Sequence, residues 1–88
     1  MKIVIIHAKN PAAGWNIVVS IQADLGQKIA DVEVRVNGFP EVRDTPTAPL
    51  DTWEQQLTQQ GVFPGDNKVE VMVQDQDGQE SRAEQKWS

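Results

Sequence analysis

The run Asp31-Val32-Glu33-Val34-Arg35-Val36-Asn37 alternates valine with polar residues along its whole length. Only an extended strand sends every second side chain to the same face, so Val32, Val34 and Val36 can be buried together while Glu33 and Arg35 meet water. Lys68-Val69-Glu70-Val71-Met72-Val73-Gln74 repeats the pattern. Asn16 to Gln22 can bury Ile17, Val19 and Ile21, and Val18 opposite them predicts partial cover on both faces. From Gln79 to Trp87, Ser81, Ala83, Gln85 and Trp87 stand against Glu80, Arg82, Glu84 and Lys86. Charges so placed discourage another chain from pairing, which predicts an edge strand. The chain is all-β on this pattern, with one stretch left open.

That stretch is Asp51-Thr52-Trp53-Glu54-Gln55-Gln56-Leu57-Thr58-Gln59-Gln60-Gly61. Asp at a helix N-cap, Glu three residues later, Trp53 and Leu57 four apart and a closing glycine suit a short helix. The same residues also alternate, Trp53, Gln55 and Leu57 against Glu54 and Gln56, and so short a helix is marginal without a packed stripe. The turns favour strands. Asn37-Gly38 tolerates the positive φ of a tight hairpin and should start a short return strand through Val42. Pro64-Gly65-Asp66-Asn67 supplies another reversal. Between Phe39 and Leu50, Pro40, Pro46 and Pro49 forbid continuous ladder pairing and predict an irregular surface crossing.

With 88 residues the chain is a single domain, 1–88, able to bury roughly 60–65% of its unfolded surface. A deep catalytic cavity is hard to build at that size. With no cysteine, neither disulfides nor thiolate metal sites brace the fold, so apolar packing must. The formal net charge of −5 opposes a phosphate backbone, and nucleic acid is excluded as a partner. Ile3-Val4-Ile5-Ile6, the longest aliphatic run, is too short for a membrane span or a signal-peptide core. The sequence gives no address of its own. An extracellular or cell-surface setting follows only if the domain belongs to a larger secreted protein.

Three segments taken in order resemble bacterial immunoglobulin-like domains. They are Gln27-Lys28-Ile29-Ala30-Asp31-Val32-Glu33-Val34-Arg35-Val36-Asn37-Gly38, then Asp51-Thr52-Trp53-Glu54, then Pro64-Gly65-Asp66-Asn67-Lys68-Val69-Glu70-Val71-Met72-Val73-Gln74-Asp75-Gln76-Asp77-Gly78. Fibronectin type III and related sandwiches share this grammar. The resemblance spans Asn16 to Trp87 and implies an immunoglobulin-like two-sheet β-sandwich of about seven antiparallel strands, with Thr52-Trp53 on a strand. It also implies a spacer or recognition module of bacterial surface and secreted proteins. The chain has no cysteine pair, and with no tyrosine it cannot form a tyrosine corner.

No catalytic constellation stands out. Asp75-Gln76-Asp77-Gly78 puts glycine fourth rather than sixth and lies between strands, unlike a helix-loop-helix calcium loop, and is expected to be a hairpin turn. The rival is a looser cation site from Asp75, Asp77 and Glu80 or Asp66. His7, the only histidine, has no cysteine or second histidine for a metal cluster and is expected to be structural or solvent-facing. Ser20, Ser81 and Ser88 lack a glycine-framed nucleophile motif, and no glycine-rich phosphate loop precedes a helix. No metal and no cofactor are implied. Trp53 is expected in the core, whereas Trp15 and Trp87 are the candidate ligand-contact residues if an indole serves as a sugar platform. The expected function is a noncatalytic structural or interaction module whose partner is a protein or a neighbouring domain. The alternative is a carbohydrate-binding module. Recognition is expected at loops gathered at one end, Lys9 to Trp15, Ala23 to Ile29 and Phe39 to Leu50, or at a strand edge.

Overall fold

A computed structural model describes the backbone of residues 1–10, 14–59 and 66–87, and the side chains of 1–8, 16–57 and 66–87. Among these residues the chain forms seven strands: β1 Lys2–Asn10, β2 Gly14–Gln22, β3 Ile29–Val36, β4 Phe39–Asp44, β5 Thr52–Gln59, β6 Asn67–Asp75 and β7 Glu80–Trp87. They build two antiparallel sheets, β1-β2-β5 and β4-β3-β6-β7. The chain is a two-sheet β-sandwich, and among the described residues no helix is long and apolar enough to cross a membrane.

The alternations set the core. Ile17, Val19 and Ile21 of β2 meet Val32, Val34 and Val36 of β3 and Val69, Val71 and Val73 of β6, all buried. Each fully buried valine contributes roughly 1.5–3 kcal/mol, so these two central strands and β2 hold the fold together. Trp53 faces the same core and lies opposite Ile21, while Leu57 lies opposite Ile17. The open stretch is therefore a strand. Its helix-forming signals are local, and they lose to the apolar surface that β2 would otherwise leave uncovered.

Asn37 (φ 52°) and Gly38 (φ 85°) join β3 to β4 with both residues in the left-handed region, the geometry expected of Asn-Gly between paired strands. The return strand runs past Val42 to Asp44. Pro40 is accommodated because β4 is an edge and because Glu41 bulges where Val34 pairs with Val42 and Arg35 with Pro40. The irregular crossing is confined to 45–51, where Ile29 and Leu50 exchange backbone hydrogen bonds of 2.7 and 2.9 Å. The reversal at Pro64 and Gly65 lies outside the described residues. β7 is an edge strand, as its charges predict.

The expected gathering of recognition loops at one end is not observed. Residues 23–28 share an end with Asp51 and Gln76: Lys28 Nζ donates to Asp51 Oδ1 at 2.5 Å, and the Lys28 N–H donates to Gln76 Oε1 at 2.6 Å. The β1–β2 connection lies at the opposite end with the Asn37-Gly38 turn, because Asn10 pairs with Gly14 and strands alternate in direction. Antiparallel strands place successive connections at opposite ends.

Candidate interaction surface

Asp75 shows how the polar groups of the fold are used. Burial alone would raise its carboxyl, but hydrogen bonds from the backbone N–H groups of Gln79 and Asp77, the Gln27 side chain and Gly78 outweigh that and hold it below the ordinary carboxylate value. Oδ1 accepts from the N–H groups of Asp77 and Gln79, both at 2.9 Å, and Oδ2 accepts from Gln27 Nε2 at 3.2 Å. The Gly78 N–H donates to the Asp75 carbonyl at 3.0 Å and Gly78 has φ 81°, so a tight turn plus a left-handed glycine closes the β6–β7 hairpin. Asp75 is a buried turn residue; Asp77 and Glu80 are exposed. Among the described residues, no three acidic or imidazole side chains converge as metal ligands do.

The tryptophans divide. Trp53 is 7% exposed and its Nε1 donates to Asp44 Oδ2 at 2.8 Å, tying β5 of one sheet to β4 of the other. Trp87 is half-buried at the end of β7, and its ring stacks on His7 with centroids 4.6 Å apart and planes 13° apart. One indole face is thus covered. The edge beside it opens on a cleft of about 480 Å³ formed with Asp66, Asn67, Lys68 and Lys86. Trp15 sits on β2 opposite Gln59, and its side chain lies outside the described residues. His7 faces inward from β1, with Gln85 Nε2 3.5 Å from its Nε2. Ser20 Oγ bonds Glu54 Oε1 at 3.3 Å, Ser81 is half-buried on β7, and Ser88 lies outside the described residues.

The outer faces of the two sheets differ in kind. On the four-stranded sheet, Arg35 pairs with Glu33, Lys68 with Glu70, Arg82 with Glu80 and Lys86 with Glu84, each along its own strand. On the three-stranded sheet, Val4 (38% exposed) and Ile6 (56%) stand on the outside of edge strand β1, with Val18 directly opposite Ile6. A shallow concavity of about 420 Å³ adjoins Val4 over Lys2, Ser20, Gln22 and Glu54. An apolar strip on an open edge can accept a strand or an apolar face from another chain.

Several contacts had no reliable sequence signal. The His7–Trp87 stack, the Trp53–Asp44 bond and the reach of Gln27 to Asp75 each join distant segments. Asn37 goes beyond its turn: its N–H donates to the Lys68 carbonyl and its Oδ1 accepts from the Lys68 N–H, both at 2.8 Å. The inward role of Asp75 did have a signal, since Asp two residues before a turn N–H commonly accepts from it. Compared with known proteins, the chain matches no family model, no curated protein and no solved structure.

Proposed function

We propose that this domain is a noncatalytic structural or protein-interaction module of bacterial immunoglobulin-like type, working through the outside of β1. The observation that carries the proposal is the exposure of Val4 and Ile6 on an edge strand whose other face, Ile3 and Ile5, packs on the core. The partner chemistry that fits is an extended or flat apolar protein segment. It would gain backbone hydrogen bonds from the open edge and bury the two side chains. The family assignment is supported by the turn residues and by two sheets joined through crossing connections. A cell-surface or secreted setting follows from that family and is part of the proposal.

A photoreactive residue in place of Ile6, set against one in place of Glu41 on the opposite flank, tests the idea in a bacterial host. Specific protein adducts at position 6, lost when Val4→Lys is added, support it. Equal adducts at both positions, or turnover of ester, peptide, phosphate or glycoside substrates by the purified chain, overturn it.

Carbohydrate binding is the second reading, favoured by the cleft that sets Trp87 beside Asp66, Asn67, Lys68 and Lys86. Titrating glycans against the indole N–H signals decides it. Saturable shifts centred on Trp87 or Trp15 replace the protein-module reading with a lectin-like one.

A further inference from the structure

The exposed side chains of β7 run Glu80, Arg82, Glu84, Lys86, charges that alternate in sign and sum to zero. β7 pairs only with β6, so its other side is an open edge. The phase of the ladder says which residues serve that edge. Asp75 N–H donates to the Gln79 carbonyl at 3.0 Å, so residue 79 directs its backbone polar groups at β6, and so do 81, 83, 85 and 87. The N–H and C=O groups of Glu80, Arg82, Glu84 and Lys86 therefore point away from the sheet.

We infer that β7 is a self-recognition edge, at which a second copy of this chain adds antiparallel about a two-fold axis through Ala83. In that register Glu80 faces Lys86 of the second copy and Arg82 faces its Glu84, each pair occurring twice by symmetry. All of these are positions whose backbone is free to bond across the edge. The neighbouring registers are excluded by charge. Sliding two residues one way sets Arg82 against Arg82 and Glu80 against Glu84; sliding the other way sets Glu84 against Glu84 and Arg82 against Lys86. A charged edge ordinarily repels an added strand, and this one repels a second copy in both neighbouring registers while matching it in the one centred on Ala83.

The monomer also leaves these charges unevenly matched. Across the ladder to β6, Glu84 lies opposite Glu70 and Lys86 opposite Lys68, so each meets a like charge on its protected side. Their opposite-sign pairs along the strand are Arg82 with Glu80 at 2.6 Å and Lys86 with Glu84 at 3.4 Å, and Arg82 is also attracted by Glu70 of β6. A second β7 would place Arg82 against Glu84 and Glu80 against Lys86 on the open side. The joined four-stranded sheets would form one continuous eight-stranded sheet. This goes beyond the function proposed for β1 and does not depend on it, because it uses the other sheet and a different partner.

Sedimentation equilibrium at low salt and at concentrations up to ~1 mM tests it, a range that captures the weak association expected of a small edge contact. The apparent mass should rise towards twofold with concentration and fall as salt is added. Arg82→Glu and Glu84→Arg should each remain monomeric, since each sets like charges opposite one another. Mixing those two variants should restore association between them, and the Arg82→Glu, Glu84→Arg double variant should self-associate again. A monomeric parent chain throughout that range overturns the inference, as does association of Arg82→Glu equal to the parent. Association lost with Ile6→Lys but retained in both β7 variants assigns the contact to β1 and overturns it as well.

Discussion

The two long flanks of the sandwich are closed by different means. On one flank β4 and β5 are joined by the connection 45–51 and by the Trp53 indole N–H bonded to Asp44 across the sheets at 2.8 Å. On the other, β1 and β7 come from opposite ends of the chain and are brought together by the His7–Trp87 stack. The first flank has a directional bond of 2.8 Å from a nearly buried donor; the second has a stack between half-buried rings with a longer polar contact, Gln85 Nε2 to His7 Nε2 at 3.5 Å, beside it. A directional, desolvated bond fixes position, whereas a stack tolerates sliding. The flank that carries both edges proposed for recognition is thus the one with the looser fastening.

The largest effect is expected from Trp53→Ala, which should cost about 3–5 kcal/mol by opening a cavity beneath β5 and stranding the Asp44 carboxylate. Trp53→Phe should cost about 2–3 kcal/mol, since it removes the bond to Asp44 together with one of the two fused rings. A double-mutant cycle with Asp44→Ala should give a coupling of about 1 kcal/mol, the share of the bond alone, and additive losses would show that the bond contributes nothing. Trp87→Ala should cost about 1–2 kcal/mol, because its ring is only half withdrawn from water and its stack is the main loss. Urea unfolding of Trp53→Ala and Trp87→Ala checks the order, and equal losses would remove the distinction between the flanks. Ile6→Lys, on the outer face of β1, should change stability by less than ~0.5 kcal/mol, which thermal melting can confirm before any binding assay.

The remaining effect is confined to acid. The Asp75 carboxyl is held below its ordinary value of 3.8 in the folded chain, so its contribution to stability is present above that value and is lost as pH falls through the lower, folded value. Because Asp75 closes the β6–β7 hairpin, acid should loosen β7 before β5. Hydrogen exchange below pH 4 should show protection falling first at Glu80–Trp87 in the parent chain, and Asp75→Asn should bring that loss to neutral pH. Simultaneous loss in both strands would mean that the hairpin is not the acid-sensitive element.

Most of the framework was legible because its determinants repeat at short range. The valine alternations of β3 and β6 and the Asn37-Gly38 turn need nothing beyond their neighbours to be read. β5 was ambiguous because capping residues and a Trp–Leu spacing supported a helix; only the presence of β2 beside it decides. The contacts at both flanks were illegible, since no local pattern in the sequence says that His7 will meet Trp87 or that Trp53 will find Asp44. The distribution of loops between the two ends was misjudged for a related reason. It depends on counting strand reversals through the whole chain, and a single uncertain strand inverts everything after it.

The strand order also carries a consequence for how quickly the chain reaches its folded state. Strands β1 and β2, β3 and β4, and β6 and β7 are hairpins between sequence neighbours, and such units form in about 1–10 μs. β5 has no such partner. Both its neighbours in sequence belong to the other sheet, and it docks only against β2, across the whole β3–β4 hairpin. Closing that long loop costs entropy before any contact repays it, so β5 is expected to arrive after the hairpins, on the millisecond-to-second scale of sandwiches. Burial of Trp53 would then report the slow phase of refolding, and its fluorescence would lag behind the formation of sheet.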